Sequence, residues 1–210
     1  MRNLFAQWFG KPTASTAEIR RSFNEAANDE EHFPSTIDPR IYHVRLIVEY
    51  FGDLGGKRAL DVGCGKGRFA RVLKDQNSGA CIVALDLSEA MLRYVPADIP
   101  PCSASMTALP FPDGAFDAAY ATESLEHAVD IELAVSEICR VVRPGGHIVI
   151  IDKNAGHWGK LKTPAWERWF RRKELEKLLR RHCSQVSSRF ISYWEDVPPD
   201  GLFIAWLAEK

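Results

Sequence analysis

The sequence has few cysteines, and their arrangement suggests no shared role. The five cysteines are odd in number, lie far apart and never form a Cys-X-X-Cys pair. Disulfide frameworks and structural zinc sites depend on paired spacings of that kind. We therefore expect free thiols, no bound metal and a reducing, cytoplasmic environment.

The chain also lacks a large net charge and a long apolar run. Its 210 residues include 27 basic and 28 acidic side chains mixed along the chain, a formal net charge of −1. This balance provides no overall field to attract a nucleic acid or an anionic membrane. No apolar run is long enough to cross a bilayer, and MRNLFAQWFGKPTAS lacks the apolar core of a signal peptide. We expect a soluble protein without a membrane span.

Residues 1–55 have helical patterns. Ser15 and Glu18 have the spacing of a capping box, and Asp38 followed by Pro39 is typical of a helix N-cap. Apolar residues then recur at helical spacing up to Phe51. We predict an N-terminal helical cover over residues 1–55, followed by one compact domain at 56–210.

From Lys57 onwards, short apolar runs alternate with amphipathic segments. The runs are RALDV, CIVALD, a weaker one at 101–104, FDAAYA and HIVIID, with helical patterns between them at 66–76, 88–94 and 131–142. The alternation predicts βαβ units and a doubly wound α/β fold with a parallel sheet. A helical pattern near 166–183 and two β-rich runs, RFISYW and LFIAWLA, predict a helix and a late hairpin on that sheet.

A glycine loop follows the first predicted strand. Gly63, Gly65 and Gly67 occupy every second position of LDVGCGKGRFA, just before a predicted helix. Free N–H groups and the helix dipole favour an anionic group at such a place. The dinucleotide fingerprint GxGxxG needs a glycine where Arg68 stands, and the P-loop pattern is absent. The spacing disfavours a pyrophosphate ligand, and an ordinary turn is the alternative.

Asp86 ends the next predicted strand, in VALDLSEAM. A carboxylate at the carboxyl end of a strand in an open α/β sheet can accept hydrogen bonds from both hydroxyls of a ribose. Asp86 could instead cap the helix that starts near Ser88. Together with the glycine loop, it predicts a nucleoside ligand with an uncharged or amino-acid-like extension.

Four segments in a fixed order carry a resemblance to a known family. LDVGCGKG, VALDLS, ALPFPDGAFDAAYATESLEH and EICRVVRPGGHIVIID resemble class I S-adenosylmethionine-dependent methyltransferases, especially the ubiquinone/menaquinone-biosynthesis group. The resemblance is strong over about residues 23–152. It implies a Rossmann-like, doubly wound sheet with the strand order 3-2-1-4-5-7-6, in which the seventh strand is antiparallel. It also implies S-adenosylmethionine (SAM) as the cofactor and S-adenosylhomocysteine (SAH) as its product.

The resemblance implies roles for residues along the cofactor. Asp61 and the three loop glycines would hold the methionine half, with Asp61 near the ammonium group. Asp86 would bind the ribose, and Leu87 would lie against the adenine.

The adenine and sulfonium ends involve four more residues. Ser105 and Met106 stand where the family commonly has an aspartate that accepts from the adenine amino group, followed by a small residue. A serine hydroxyl is a poorer acceptor than a carboxylate. Thr122 and Glu123 would line the floor of the site near the sulfonium.

The acceptor side has weaker signals. His127 is the best candidate for a general base, because its unperturbed pKa lies near neutrality, and a packing role for the following helix is the alternative. Other candidates to contact the acceptor are Asn154, His157 and Trp158, after the fifth strand, and Glu123. The helical cover offers Tyr42, His43 and Arg45 as residues that could close over the cofactor.

The segment ERWFRRKELEKLLRRH is rich in basic residues. Opposite charges at i,i+4, such as Glu167 and Arg171, indicate a solvated amphipathic helix. The alternative is contact with an acidic substrate group or a phosphate-bearing partner, supplied by Lys160, Lys162, Arg171 and Arg172.

The sequence therefore predicts methyl transfer from SAM to a small-molecule acceptor by in-line displacement. A nucleic-acid substrate is unlikely, although an RNA methyltransferase remains an alternative. Another alternative is a SAM-binding protein without catalysis that acts as a regulatory or partner subunit. The glycine spacing leaves an NAD-linked oxidoreductase with little support, and oligomeric state has no sequence signal.

Overall fold

A seven-stranded sheet forms the centre of the structure, a computed structural model in which residues 14–210 are described. The strands are β1 (Arg58–Val62), β2 (Cys81–Asp86), β3 (Pro101–Ser103), β4 (Phe116–Thr122), β5 (Val142–Lys153), β6 (Gln185–Ile191) and β7 (Phe203–Glu209). The helices are α1 (Thr16–Ala26), α2 (Tyr42–Phe51), α3 (Arg68–Gln76), α4 (Glu89–Leu92), α5 (Ile131–Val141) and α6 (Arg172–Leu179). Short 3-10 turns lie at Leu125–His127 and Ala155–His157.

The strand order is β3-β2-β1-β4-β5-β7-β6. Strands β1 to β5 pair in parallel, and β7 is antiparallel to both of its neighbours, β5 and β6. This confirms the expected fold class and the late hairpin. Strand β1 pairs with β2 on one side and with β4 on the other. The order in which successive strands are added to the sheet therefore reverses between β1 and β4. Open α/β sheets bind ligands at the carboxyl ends of the strands at such a point.

Apolar side chains cover both faces of the sheet. The central strands are buried along nearly their whole length, which is why RALDV and CIVALD read as continuous runs rather than alternating ones. On one face Trp206 is fully buried, stacks edge-on against Phe170 and donates its indole N–H to the carbonyl oxygen of Arg172 at 2.8 Å. Tyr120 and Phe51 pack on the opposite face.

The helical cover differs from prediction at its second helix. Ser15 caps α1 through the predicted capping box with Glu18, which is confirmed. Helix α2 begins at Tyr42 with no side-chain cap, so the expected N-cap at Asp38 is wrong. The carboxylate of Asp38 instead accepts from the backbone N–H and the guanidinium of Arg40, which closes a turn before the helix.

Helix α1 is docked on the sheet domain. The side-chain oxygen of Asn24 accepts from the hydroxyl of Ser88 at 2.7 Å and from the N–H of Ala90 at 3.2 Å, which ties α1 to α4. The domain boundary near residue 55 stays a prediction, and the first 13 residues of the cover lie outside the described range.

The predicted helix at 166–183 is shorter than expected. Only Arg172–Leu179 is helical. The preceding residues are extended because the N–H of Phe170 donates to the carbonyl oxygen of Lys153, and the N–H of Ala155 donates to that of Phe170. This backbone pairing places Phe170 in the core. The helical pattern of the sequence does not predict that position.

Replacing Trp206 by Phe tests the packing of the late hairpin. The substitution leaves a void and removes the donor to Arg172, so we expect the free energy of unfolding to fall by about 1–3 kcal/mol. Trp194→Phe is the matched control, since that side chain is 41% exposed; its change should stay within about 0.5 kcal/mol. Urea denaturation measures both, and equal losses would contradict the packing described.

Candidate functional site

A cleft lies at the carboxyl edge of the sheet, where β1, β2 and β4 end. Its sheet-side walls are formed by Asp61, the glycine loop, the end of β2, residues 104–106 and the segment that follows β4. Its other wall comes from α1 and residues 32–34. The cleft therefore lies at the reversal point of the strand order.

The glycines of the loop serve two different purposes. A Cβ at Gly63 would lie 2.5 Å from the Cβ of Ser124, so this glycine permits the close approach of β1 and the loop after β4. A Cβ at Gly65 would meet no atom within 4 Å. Gly65 nevertheless has a φ of +55°, a conformation that side chains rarely adopt. The open space beside Gly65 is where a ligand can approach the main chain.

Asp86 is held firmly beside that loop. Its Oδ2 accepts from the N–H of Gly65 and its Oδ1 from the N–H of Ser88, both at 2.7 Å. A carboxylate has about four acceptor positions, so one on each oxygen remains for a ligand. The N-cap of α4 is Ser88, whose hydroxyl accepts from the N–H of Met91. The alternative role for Asp86, as the cap of this helix, is therefore filled by Ser88.

Two polar atoms of the cleft are buried without a hydrogen-bond partner in the described chain: Oδ2 of Asp61 and Oγ1 of Thr122. Asp61 is only 2% exposed, and burial raises its pKa to about 7. A buried carboxylate oxygen without a partner is unfavourable, so a cationic ligand group beside Asp61 would stabilise the ionised form of its carboxyl group. The amino-acid tail of SAM carries such a group, and these residues fit it.

Leu87, Ser105 and Met106 line the other end of the cleft. The hydroxyl of Ser105 is 2.7 Å from that of Thr107 and also accepts from the N–H of Thr107. Ser105 is thus engaged in a local turn. Its side chain provides no carboxylate at the place where the related family commonly has one.

Glu123 has a strained backbone conformation. Its φ is +50°, and it is the sole non-glycine residue with positive φ in the described range. Its Oε1 accepts from the hydroxyl of Tyr193 at 3.0 Å and lies 3.4 Å from Nη2 of Arg68. Strained residues that the surrounding structure holds in place concentrate at functional sites. Tyr193, from the β6–β7 loop, has no sequence signal for this role.

His127 lines the cleft, but its ring nitrogens point to residues that do not. The indole N–H of Trp166 donates to Nδ1 at 3.3 Å, while Nε2 lies 3.7 Å from Oε1 of Glu126. Since an indole is only a donor, Nδ1 is unprotonated and Nε2 carries the hydrogen. Burial, with the charge of Lys153, lowers the pKa of His127 to about 3. This geometry gives no support to the general-base role predicted for His127.

Glu126, His127 and Glu167 have the spacing of a metal site. The ammonium group of Lys153 already bonds to Glu126 and lies 3.7 Å from Oε2 of Glu167. Although burial acts against it, the carboxylates of Glu126 and Asp152 raise the pKa of Lys153, so it stays charged. With that cation in place and a hydrogen on Nε2 of His127, the donor set does not fit a metal ion.

The structure does not bring Asn154, His157 and Trp158 to the cleft. Asn154 donates from its amide to the carbonyl oxygen of Gly201 and caps the turn that follows it. Trp158 packs edge-on against Trp169 with ring centroids 5.3 Å apart. These contacts join two loops at the end of the sheet, beside the cleft rather than within it.

The helical cover contributes different residues from those expected. Tyr42, His43 and Arg45 are not among the cleft residues, and the fully buried ring of His43 packs between Tyr193 and Phe203. The cleft wall is instead formed by three apolar side chains of α1 and the segment after it: Ile19, Phe23 and Phe33. Ile19 and Phe23 lie on α1, and Phe33 lies in the segment that follows it.

Lys66 is a further functional residue that sequence reasoning missed. Its ammonium group is buried, bonds to Glu30 at 2.7 Å and lies over the ring of Tyr94. Lys66 thereby fastens the segment after α1 onto the glycine loop. The charge of Lys66 is therefore paired with Glu30 rather than left for a ligand.

Comparison with known proteins shows what the chain is similar to. Residues 60–150 match the model of a methyltransferase domain. The demethylmenaquinone methyltransferase of Renibacterium salmoninarum is 34% identical over 122 residues, which cover 57% of this chain and 51% of that protein. The chain thus spans about half the length of the curated relatives it matches.

Two solved structures share the fold over most of their length. The cyclase SpnF has a TM-score of 0.76 at 19% identity, covering 96% of this chain and 98% of its own. Geranyl diphosphate C-methyltransferase of Streptomyces coelicolor, solved with Mg²⁺, geranyl diphosphate and SAH, has a TM-score of 0.68 at 16% identity, covering 95% and 99%. The strand order agrees with the fold of these structures, and the matched segment is similar to SAM-dependent methyltransferases, those of quinone biosynthesis among them.

Proposed function

We propose that the chain transfers the methyl group of SAM to a small, uncharged acceptor. The observation that carries the proposal is the pair of acids on either side of the open space at Gly65. Asp61 has an unpaired buried oxygen, and Asp86 is fixed with acceptor capacity to spare. When bound, SAM supplies an activated methyl group on a sulfonium centre.

Each residue of the cofactor side has a distinct task. Asp61 pairs with the ammonium group of the tail, and Asp86 accepts from the two ribose hydroxyls. Leu87 and Met106 bury the adenine faces, mainly through dispersion and the removal of apolar area from water. The unpaired hydroxyl of Thr122 lies at the end of β4, where it can bond to the tail or the ribose.

The acceptor side is apolar and has no unpaired positive charge. Ile19, Phe23 and Phe33 form its wall, and Phe23 packs edge-on against His127 at 5.0 Å between ring centroids. The two cations that line the cleft are both paired, Lys66 with Glu30 and Arg68 with Glu123. An acceptor with a phosphate or carboxylate group would find no free partner there, so an uncharged apolar acceptor fits best.

Glu123 is the group that we assign to orienting the acceptor. Its carboxylate lines the cleft. The hydrogen bonds to Tyr193 and Arg68 both involve Oε1. Oε2 can therefore accept a hydrogen bond from an acceptor hydroxyl or amine. With His127 turned away, the protein contributes chiefly by excluding water and aligning the acceptor.

A second candidate function is SAM or SAH binding without methyl transfer. The fold is shared with the cyclase SpnF, so the fold does not by itself establish methyl transfer. Ser105, in place of the aspartate common in the family, also favours this second candidate.

Methyl transfer is tested with isotope-labelled SAM and a small-molecule extract. We expect label to enter the extract with the unaltered protein and to be lost with Asp86→Asn, because charge-assisted hydrogen bonds contribute about 1.5–3 kcal/mol each. The corresponding loss in SAH affinity, by calorimetry, is about 10- to 100-fold. Asp75→Asn, an exposed aspartate on α3, is the control and should change neither. SAH binding without labelling of any extract component would favour the second candidate.

Cofactor binding should depend on pH through Asp61. The carboxyl group is half ionised near pH 7 in the free protein, and an ammonium group favours its ionised form. Affinity for SAH should thus be full above about pH 8 and fall as the pH drops, by about 30-fold at pH 5.5, with uptake of SAH releasing protons near pH 7. Calorimetry in buffers of different ionisation enthalpy measures both. A flat profile with the native chain, or the same profile with Asp61→Asn, would rule out this pairing.

Ser105→Asp is expected to strengthen SAH binding. It places a carboxylate where the adenine amino group can donate, a bond worth about 1 kcal/mol, or roughly fivefold in affinity. Thr107→Val is the comparison variant, since it removes the partner of Ser105 without adding a charge. Calorimetry on both tests the adenine assignment, and no gain with Ser105→Asp would count against it.

A further inference from the structure

Two large apolar side chains stand exposed on the segment after β5. Trp158 is 56% exposed and Leu161 is 42% exposed, and Trp158 is the most exposed large apolar side chain of residues 14–210. The edge-on contact with Trp169, itself buried, holds the Trp158 ring in place. Exposed apolar groups held by a rigid backing mark a surface that contacts another apolar medium.

The same segment is strongly basic. Residues 156–173, here named the basic loop, contain six lysines and arginines and one acid, Glu167, in a chain whose formal net charge is −1. Glu167 is buried and faces Lys153. Lys160 and Lys162 are exposed, and neither forms an ion pair with any residue from 14 to 210. Their charges are free to attract an anionic partner.

We propose that the basic loop docks on an anionic lipid surface. The run Trp158-Gly-Lys-Leu-Lys162 places two apolar and two cationic side chains within five residues. Tryptophan is favoured at membrane interfaces because its ring is apolar and its N–H is polar. Each basic residue near an anionic membrane adds about 1 kcal/mol of attraction, which is a gain of roughly fivefold in binding.

A lipid surface explains the loop better than a nucleic acid does. Leu161 presents an aliphatic side chain, which gains by entering an acyl layer and has no comparable partner on a phosphate backbone. No helix within the described residues is long and apolar enough to cross a membrane. The attachment we infer is therefore to the surface of the bilayer.

The position of the loop connects docking to the cleft. Strand β5 runs parallel to β4, so the residues after β5 lie at the same edge of the sheet as the cleft. Trp166, within the basic loop, donates to His127 on the cleft wall. Docking would bring the cleft edge near a medium in which apolar molecules accumulate. The proposal goes beyond the methyl-transfer function and does not depend on it.

A neighbouring acidic loop limits the docking surface. The segment 192–202 carries Glu195, Asp196 and Asp200, and it meets the end of β5 where Asn154 bonds to the carbonyl oxygen of Gly201. An anionic surface repels these acids. Trp194, although 41% exposed, should consequently stay out of the lipid, in contrast to Trp158.

Vesicle sedimentation with the full chain tests the proposal. We expect binding to vesicles of phosphatidylcholine with phosphatidylglycerol, little binding to phosphatidylcholine alone, and weakening as salt rises. Lys160→Gln with Lys162→Gln should weaken binding about tenfold or more, and Trp158→Ser with Leu161→Ser should do the same. Leu133→Ser and Trp194→Ser are matched controls, because both side chains are exposed apolar groups elsewhere, and they should bind as the native chain does.

Three outcomes would overturn the proposal. They are no binding to the anionic vesicles, equal binding by both basic-loop double variants and the native chain, or loss of vesicle binding with the two controls. Tighter binding to a single-stranded RNA oligonucleotide than to the vesicles, abolished by the lysine substitutions, would assign the loop to nucleic acid instead.

SAH calorimetry on the same proteins separates this proposal from the methyl-transfer function. None of the four substituted residues of the basic loop lines the cleft, so SAH affinity should be unchanged in folded variants. Failure of the native chain to bind SAH would contradict the methyl-transfer function and leave the vesicle result standing.

Discussion

The site depends on one carboxylate, that of Asp86, which accepts two backbone N–H groups from different segments. One donor belongs to the glycine loop after β1, and the other belongs to the turn after β2. Because both strands end at the reversal point of the sheet, this side chain ties together two loops that face the same cleft. The N–H groups of Gly63 and Cys64 donate to the carbonyl oxygen of Leu85 and support the same arrangement.

A second constraint arises from the buried charges behind the cleft. Lys153, at the end of β5, is surrounded by three carboxylates, those of Glu126, Asp152 and Glu167. Burial and the adjacent Asp152 raise the pKa of Glu126, whereas the charge of Lys153 acts to lower it. The network links the segment after β4 to the segment after β5. Nε2 of His127 faces this network, and Nδ1 accepts from Trp166, which leaves alignment of the acceptor to Glu123 and the apolar wall.

The features that sequence predicts are those that a short segment determines. The glycine loop and Asp86 were accessible because each belongs to a motif of fewer than ten residues, and strand order followed from the resemblance that four segments carry together. The missed contacts join distant parts of the chain, such as Tyr193 with Glu123, 70 residues apart, and Lys66 with Glu30. The helix expected at 166–183 was shortened by backbone pairing of Phe170 with β5, which periodicity does not reveal. His127 was correctly placed at the cleft, but the direction of its nitrogens is set by Trp166, a residue 39 positions away.

The central claim is that Asp61, the glycine loop and Asp86 together hold SAM with its sulfur toward the apolar wall. A crystal structure of the protein with SAH tests it most directly. We expect the ribose hydroxyls on the carboxylate of Asp86, the amino group beside Asp61, and the sulfur facing Glu123 and Phe23. SAH bound outside this cleft, or bound within it with its ribose away from Asp86, would contradict the account.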